Sequence, residues 1–234
     1  YLGLAGQSDL MLGRAEEAIP KIRRALAIYK KSSRSVPIYK GNLLNSLGRA
    51  LCDGGFPAEA RLLHLQSLAI FENEEGLDRI TTAHTLSLLA LACSNLGLGK
   101  ESVVHARQAK NINQKVLGSD HLGTATSMHD LAVFLDRNEG FEEALPLHEK
   151  ALTVYERELK EDDPFLGTIL LNFGNHFLAQ GKHEKSLPLL QRGLHIQERS
   201  YGALHPQVGT AYGSLALAMQ GMGFFHESRT LLDR

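Results

Sequence analysis

Tryptophan is missing altogether, and cysteine is reduced to Cys52 and Cys93, in a chain of 234 residues. The two cysteines lie 41 positions apart, which fits neither a disulfide framework nor the close pairing of a zinc site. A reducing, cytoplasmic setting is the expectation. An excess of either charge is also lacking: 25 Lys and Arg face 26 Asp and Glu, a net charge of −1 and a pI near 6.9. With no basic stripe in the balance, nucleic acid is not an expected partner. No apolar run approaches the roughly 20 residues that span a bilayer, so membrane insertion is not expected either. The opening Tyr1-Leu2-Gly3-Leu4-Ala5 has no Met and no basic flank of a signal peptide. Because it reads as the middle of a helix, and Leu231-Leu232-Asp233-Arg234 stops short of another, the chain is expected to be a fragment of a longer protein.

Signatures of catalysis are missing in the same way. No Gly-x-Ser-x-Gly elbow occurs. Gly54-Gly55 and Gly97-Leu98-Gly99-Lys100 resemble phosphate loops only in composition, because no buried strand precedes them. Neither an enzymatic activity nor a cofactor is expected.

What is present is repetition, with a period of 42 residues. Gly13, Gly55, Gly97, Gly181 and Gly223 keep that spacing, and Glu139 fills the one missing place. Five residues after each comes Ala18, Ala60, Ser102, Ala144, Ser186 or Ser228. Eight residues before each stands Ala5, Leu47, Leu89, Leu131, Phe173 or Leu215, always followed by Gly or Ala. Inside one copy the apolar spacing is helical: Leu44, Leu47 and Leu51 form one stripe, Ala60, Leu63 and Ile70 the next. Each repeat therefore predicts two helices, closely packed through the small residues and joined at the glycine. Val36-Pro37, Gly118-Ser119-Asp120, Asp162-Asp163-Pro164 and Gly202…His205-Pro206 break the chain between repeats. His121 and His205 in these linkers read as turn caps, and Glu16-Glu17 and Glu142-Glu143 as acidic first turns that suit the helix dipole. Pro20, Pro146 and Pro188 share one position about five residues into the second helix, where an interior proline costs roughly 3 kcal/mol. A helix start one or two residues later would reduce that cost.

On the residues Leu44, Leu47-Gly48, Leu51, Ala60 and Ser67 the chain resembles the tetratricopeptide repeat family. The 42-residue period, Glu143-Ala144-Leu145-Pro146-Leu147 and the Gly202…His205-Pro206 linker look like its kinesin-light-chain branch. Related repeats occur in nephrocystin-like and nucleotide-binding signalling proteins. The resemblance implies an all-α, right-handed solenoid of six helix-turn-helix repeats, about 12 helices, forming a single domain over 1–234. The repeats run approximately 1–40, 41–82, 83–124, 125–166, 167–208 and 209–234, the first and last incomplete. HEAT and armadillo repeats have comparable periods and are the structural alternative, against which the Gly-x-x-x-[Glu/Lys]-[Ala/Ser] turn argues.

Eleven histidines raise the question of metal. His64 and His148 fall at the inward position that Ile22, Ala106 and Leu190 fill elsewhere, and read as core histidines. His176 and His183 straddle a turn, no His-x-x-x-His pair stands out, and no metal site is expected. Function is sought instead where first helices break their apolar stripe, since such solenoids recognise partners along a concave face lined by those helices. The positions are Asn42, Asn45, Arg49 and Asp53; then His84, Ser87, Leu91 and Asn95. Thr126, His129, Asp130, Val133 and Arg137 follow, then Thr168, Asn172 and Asn175, then Thr210, Ser214 and Gln220. Asn donates and accepts at once, so Asn45, Asn172 and Asn175 suit a peptide backbone, while Arg49 and Arg137 suit an acidic group on it. The competing reading is that such residues are merely solvated. Light-chain repeats imply an Asn-rich groove for acidic motifs, yet Leu88 and Asp130 stand where Asn is expected beside Asn172. The expected function is a non-catalytic adaptor or scaffold that binds a protein or an extended peptide. The alternative is the sensor segment of a multidomain signalling nucleotide-binding protein. Apolar Leu2, Leu4, Leu10, Leu231 and Leu232 at the ends are expected to favour self-association.

Overall fold

The computed structural model describes residues 2–11, 14–31, 36–73 and 79–232. Twelve α-helices, with no strand among the described residues, make an all-α repeat solenoid. Two compact units divide it, Tyr1–Gly118 and Ser119–Arg234. The first holds α1 (Leu2–Met11), α2 (Ala15–Lys31), α3 (Pro37–Asp53), α4 (Pro57–Asn73), α5 (Arg79–Asn95) and α6 (Gly99–Leu117). The second holds α7 (Leu122–Asp136), α8 (Phe141–Glu158), α9 (Pro164–Ala179), α10 (His183–Tyr201), α11 (Pro206–Gly221) and α12 (Phe225–Leu232). No helix among the described residues is long and apolar enough to cross a membrane.

The turn inside each pair follows from the 42-residue glycine register. Gly55, Gly97, Gly181 and Gly223 take φ between +69° and +87°, and Glu139 takes +61° in the same role. Beyond each, the next amide reaches back five residues: Phe56 N to Leu51 O at 2.7 Å, Gly140 N to Leu135 O at 2.9 Å, Lys182 N to Phe177 O at 2.9 Å. This closes the helix end and caps carbonyls that would otherwise be orphaned. The turn at Gly13 lies outside the described residues. Helix starts are capped as the linkers imply. His121 accepts from Gly123 N at 3.0 Å, Asp163 from Phe165 N at 2.8 Å and His205 from Gln207 N at 3.3 Å.

Small residues set the spacing within a pair. A Cβ on Gly48 would meet the His64 ring at 2.6 Å, and one on Gly174 would meet Leu190 at 2.7 Å. Around these contacts Ile22, Leu43 and Leu47 bury in the first unit, and Tyr155, Ile169, Leu170 and Leu190 in the second. Each such side chain contributes roughly 1.5–3 kcal/mol. In the first unit α3 packs on both α1 and α5, and in the second α9 packs on both α7 and α11; within each unit the second helices of neighbouring pairs make no such contacts among the described residues. Each stack therefore curves with its first helices on the inner side.

The prolines do lie inside their helices, because amide bonding already starts at Ala18, Ala144 and Ser186. A later helix start is not how the chain accommodates them. Pro20, Pro146 and Pro188 are exposed, and so are Glu16, Glu142 and Glu184 four residues earlier, whose carbonyls lose their amide partner. At these exposed positions the freed carbonyls are open to hydration, which offsets the lost bond. At the ends, Leu4 is 69% exposed, whereas Leu10 and Leu231 pack against the cores of their units. The side chains of Leu2 and Leu232 lie outside the described residues.

Candidate binding faces on the first helices

In the first unit the inner face carries a pocket of about 460 Å³. Asn42, Asn45, Arg49 and His84 all line it, over an apolar floor of Leu10 and Leu88. Gln7 and Ser46, which polarity alone did not single out, complete the wall, joined by a 3.0 Å bond from Gln7 Nε2 to Ser46 Oγ. Asn45 is 5% exposed. Its Nδ2 donates to Thr85 Oγ1 at 2.7 Å, and its Oδ1 accepts from His64 Nδ1 at 3.1 Å. The amide is thus spent inside the unit, holding α3, α4 and α5 together. Arg49 is exposed and pairs with Asp53 at 3.8 Å, a contact worth little in solvent. His84 is held below the usual histidine range by crowding first and the Arg49 charge second.

The second unit has a smaller pocket, about 190 Å³, between α9 and α11. Asn172, Asn175 and Thr168 face Thr210 and Ser214 across it, and Gln197 enters from α10. Gln197 is 2% exposed; its Nε2 donates to Thr168 Oγ1 at 2.9 Å, while its buried Oε1 has no partner. Asn172 Nδ2 donates to His129 Nε2 at 3.0 Å, leaving its Oδ1 uncommitted among the described residues. Asn175 makes no hydrogen bond among the described residues. His129 itself is 6% exposed and lies beneath the face rather than on it. Burial, and then the neighbouring His148, push it down to about 3. Arg137 caps the C-terminus of α7 in an exposed position outside the pocket.

Two groups of ligand-type side chains also come together. Asp136, His148 and His176 meet at the junction of α7, α8 and α9, with both rings buried. His148 Nε2 contacts Asp136 Oδ2 at 2.8 Å and His176 Nδ1 contacts Asp136 Oδ1 at 2.7 Å. Gln180 decides how to read this. Its Nε2 donates to the His176 carbonyl at 3.1 Å and faces His176 Nε2 at 2.8 Å, while its Oε1 accepts from Lys182 at 2.6 Å. His176 Nε2 is therefore the acceptor, so Nδ1 carries the proton and donates to Asp136. A metal on Nδ1 would force a proton onto Nε2, against the Gln180 donor. The donor set fits a hydrogen-bonded clamp rather than a metal centre. At the other group, Cys93, Glu101 and His105, the Arg61 guanidinium donates to Glu101 at 2.8 Å and occupies the carboxylate a cation would need. Spacing could not foresee the Asp136 cluster, because 12 and 28 residues are not a ligand period; only the fold assembles it.

A sequence profile described as the tetratricopeptide repeat matches residues 81–157, 131–196 and 165–234. Among curated proteins, the chain is similar to the clustered mitochondria protein homolog of Candida albicans, 27% identical over 167 residues. That alignment covers 71% of this chain and 12% of the relative, so the chain spans about an eighth of the relative's length. Among solved structures it resembles the putative kinesin light chain nearly identical TPR-like repeats of Podosopora anserina, with TM-score 0.70 and 25% identity. The match covers 86% of this chain and 94% of that one. NprR in complex with its cognate peptide NprX matches all of this chain and 64% of its own at TM-score 0.73 and 16% identity, a likeness of fold.

Proposed function

The chain belongs to the tetratricopeptide repeat family, and from that premise we propose that its inner, first-helix faces are non-catalytic docking surfaces for an extended peptide segment of another protein. The observation that carries this reading is the unused hydrogen-bonding capacity in the second unit. Asn172 Oδ1, the Asn175 amide and the buried Gln197 Oε1 border one pocket with no partner among the described residues. Leaving such groups unpaired costs roughly 1–3 kcal/mol each when buried, which a peptide backbone recovers by supplying both donors and acceptors. The NprR structure, solved with a peptide, supports this use of the fold. An adaptor of this kind is at home in the cytoplasm, where the buried free thiols of Cys52 and Cys93 stay reduced.

The test is to select binding peptides from a random displayed library on the full chain, then measure affinities for the Asn172→Ala/Asn175→Ala double variant. Two lost hydrogen bonds at roughly 0.5–1.5 kcal/mol each predict a drop on the order of tenfold or more. If affinity is unchanged, and is lost instead on altering Arg61, Gln108 or Glu149 on the second helices, the partner docks on the outer side and this reading fails.

A further inference from the structure

We propose that Asp130 is the receptor for a positively charged side chain, lysine or arginine, on the peptide held along the inner face of the second unit. This inference rests on the docking face proposed above and adds the chemistry of what it selects.

The 42-residue register places Asp130 on that face. Its equivalents Ser46 and Leu88 line the pocket of the first unit, and Asn172 and Ser214 line the pocket of the second. The position one turn earlier behaves in the same way, with Asn42, His84, Thr168 and Thr210 all pocket walls and Thr126 their counterpart on α7. Asp130, Asn172 and Ser214 therefore form one row across α7, α9 and α11, with α9 packed between the other two.

Among the described residues the carboxylate has no counter-charge: Asp130 is half-buried and makes no hydrogen bond or ion pair with any of them. The donors near it are engaged elsewhere. The Tyr155 hydroxyl donates to Thr126 Oγ1 at 2.8 Å, the Thr126 hydroxyl donates to the Leu122 carbonyl at 3.0 Å, and Asn172 Nδ2 donates to His129. Partial burial pushes the acid up to about 6, with no cation among the causes to offset it. The desolvation is incurred before any ligand arrives, so a cation gains most of the charge-assisted hydrogen bond. First helices in contact lie about 8–10 Å apart, and an extended peptide advances about 3.3 Å per residue. The basic side chain should fall about three residues from the segment held by Asn172 and Asn175.

The probe is a random dodecapeptide library displayed on phage and selected on the full chain. It is followed by calorimetry of one selected peptide and of its basic-residue→Gln derivative. Each is measured against the unaltered protein, Asp130→Asn and the Asn172→Ala/Asn175→Ala variant, with circular dichroism confirming that all three are folded. Selected peptides are expected to carry Lys or Arg at the stated offset. Replacing that residue by Gln should weaken binding about fivefold or more to the unaltered protein and by less than about twofold to Asp130→Asn. Suppose instead that peptides bind through Asn172 and Asn175 with no basic preference, or that the Gln penalty survives in Asp130→Asn. Then the Asp130 inference is overturned while the docking face stands. If no peptide is selected, or those selected ignore the Asn172 and Asn175 changes, both are overturned.

Discussion

At Glu139 the backbone adopts φ +61° where four other turns carry glycine in the same region. A Cβ is strained there by roughly 1 kcal/mol or more, and no hydrogen bond requires a side chain at that point. Glu139→Gly is expected to stabilise the protein by roughly 0.5–1 kcal/mol, seen as a higher urea midpoint at unchanged slope; a lower midpoint would mean the side chain makes a contact of value. The turn could be read from the sequence because glycine recurs at fixed spacing. The polar residues were harder to place. Asn45 and His129 share one register position, a single residue before the groove row of Ser46 and Asp130, and a step of one residue turns about 100° around the helix. That step carries both inside, where Asn45 serves His64 and His129 serves Asn172. The available signal was His64 at an inward position, since a buried histidine needs a polar partner. Arg49 and His84 stand on the wall of the first unit's pocket and Asn175 on that of the second, since no interior partner among the described residues draws them in.

Between helices, the Asp136 clamp joins the end of α7 to α8 and α9 through two buried imidazole donors. Contacts between α8 and α9 are sparse compared with those between α10 and α11, so this clamp carries more of the alignment there. Asp136→Asn keeps one acceptor but turns an N–H toward a ring N–H. It should cost about 2–3 kcal/mol, measured by urea denaturation. No change in stability would show the clamp to be incidental. The helix pairs themselves were legible from the apolar stripes and small residues. The clamp was not, since it draws on one residue from each of three helices. The prolines show another limit, because their tolerance depends on which carbonyl faces water rather than on where the helix begins.

Across the whole molecule, buried titratable groups make stability depend on pH. His64 is pushed down to about 4 by burial and then by His84, and His129 to about 3. For a base whose folded value lies below its unfolded 6.5, the stability is complete above 6.5 and falls as pH drops toward the folded value. Asp130, raised from 3.8 to about 6, works in the opposite sense: its charged form burdens the fold at neutral pH and the burden lifts below about 6. The two histidines outweigh the single acid. Unfolding free energy is expected to fall by about 2–4 kcal/mol from pH 7 to 4.5, with Asp130→Asn steepening the loss. A flat profile would mean the histidines ionise freely. The central claim, that uncommitted amides on the inner face receive an extended peptide, is tested most directly by side-chain amide NMR during titration with a selected peptide. The NH₂ signals of Asn172, Asn175 and Gln197 should shift on saturation while that of the outer Gln108 stays in place. Shifts confined to Gln108 and its outer-face neighbours, with Asn172 and Asn175 unmoved, would contradict it.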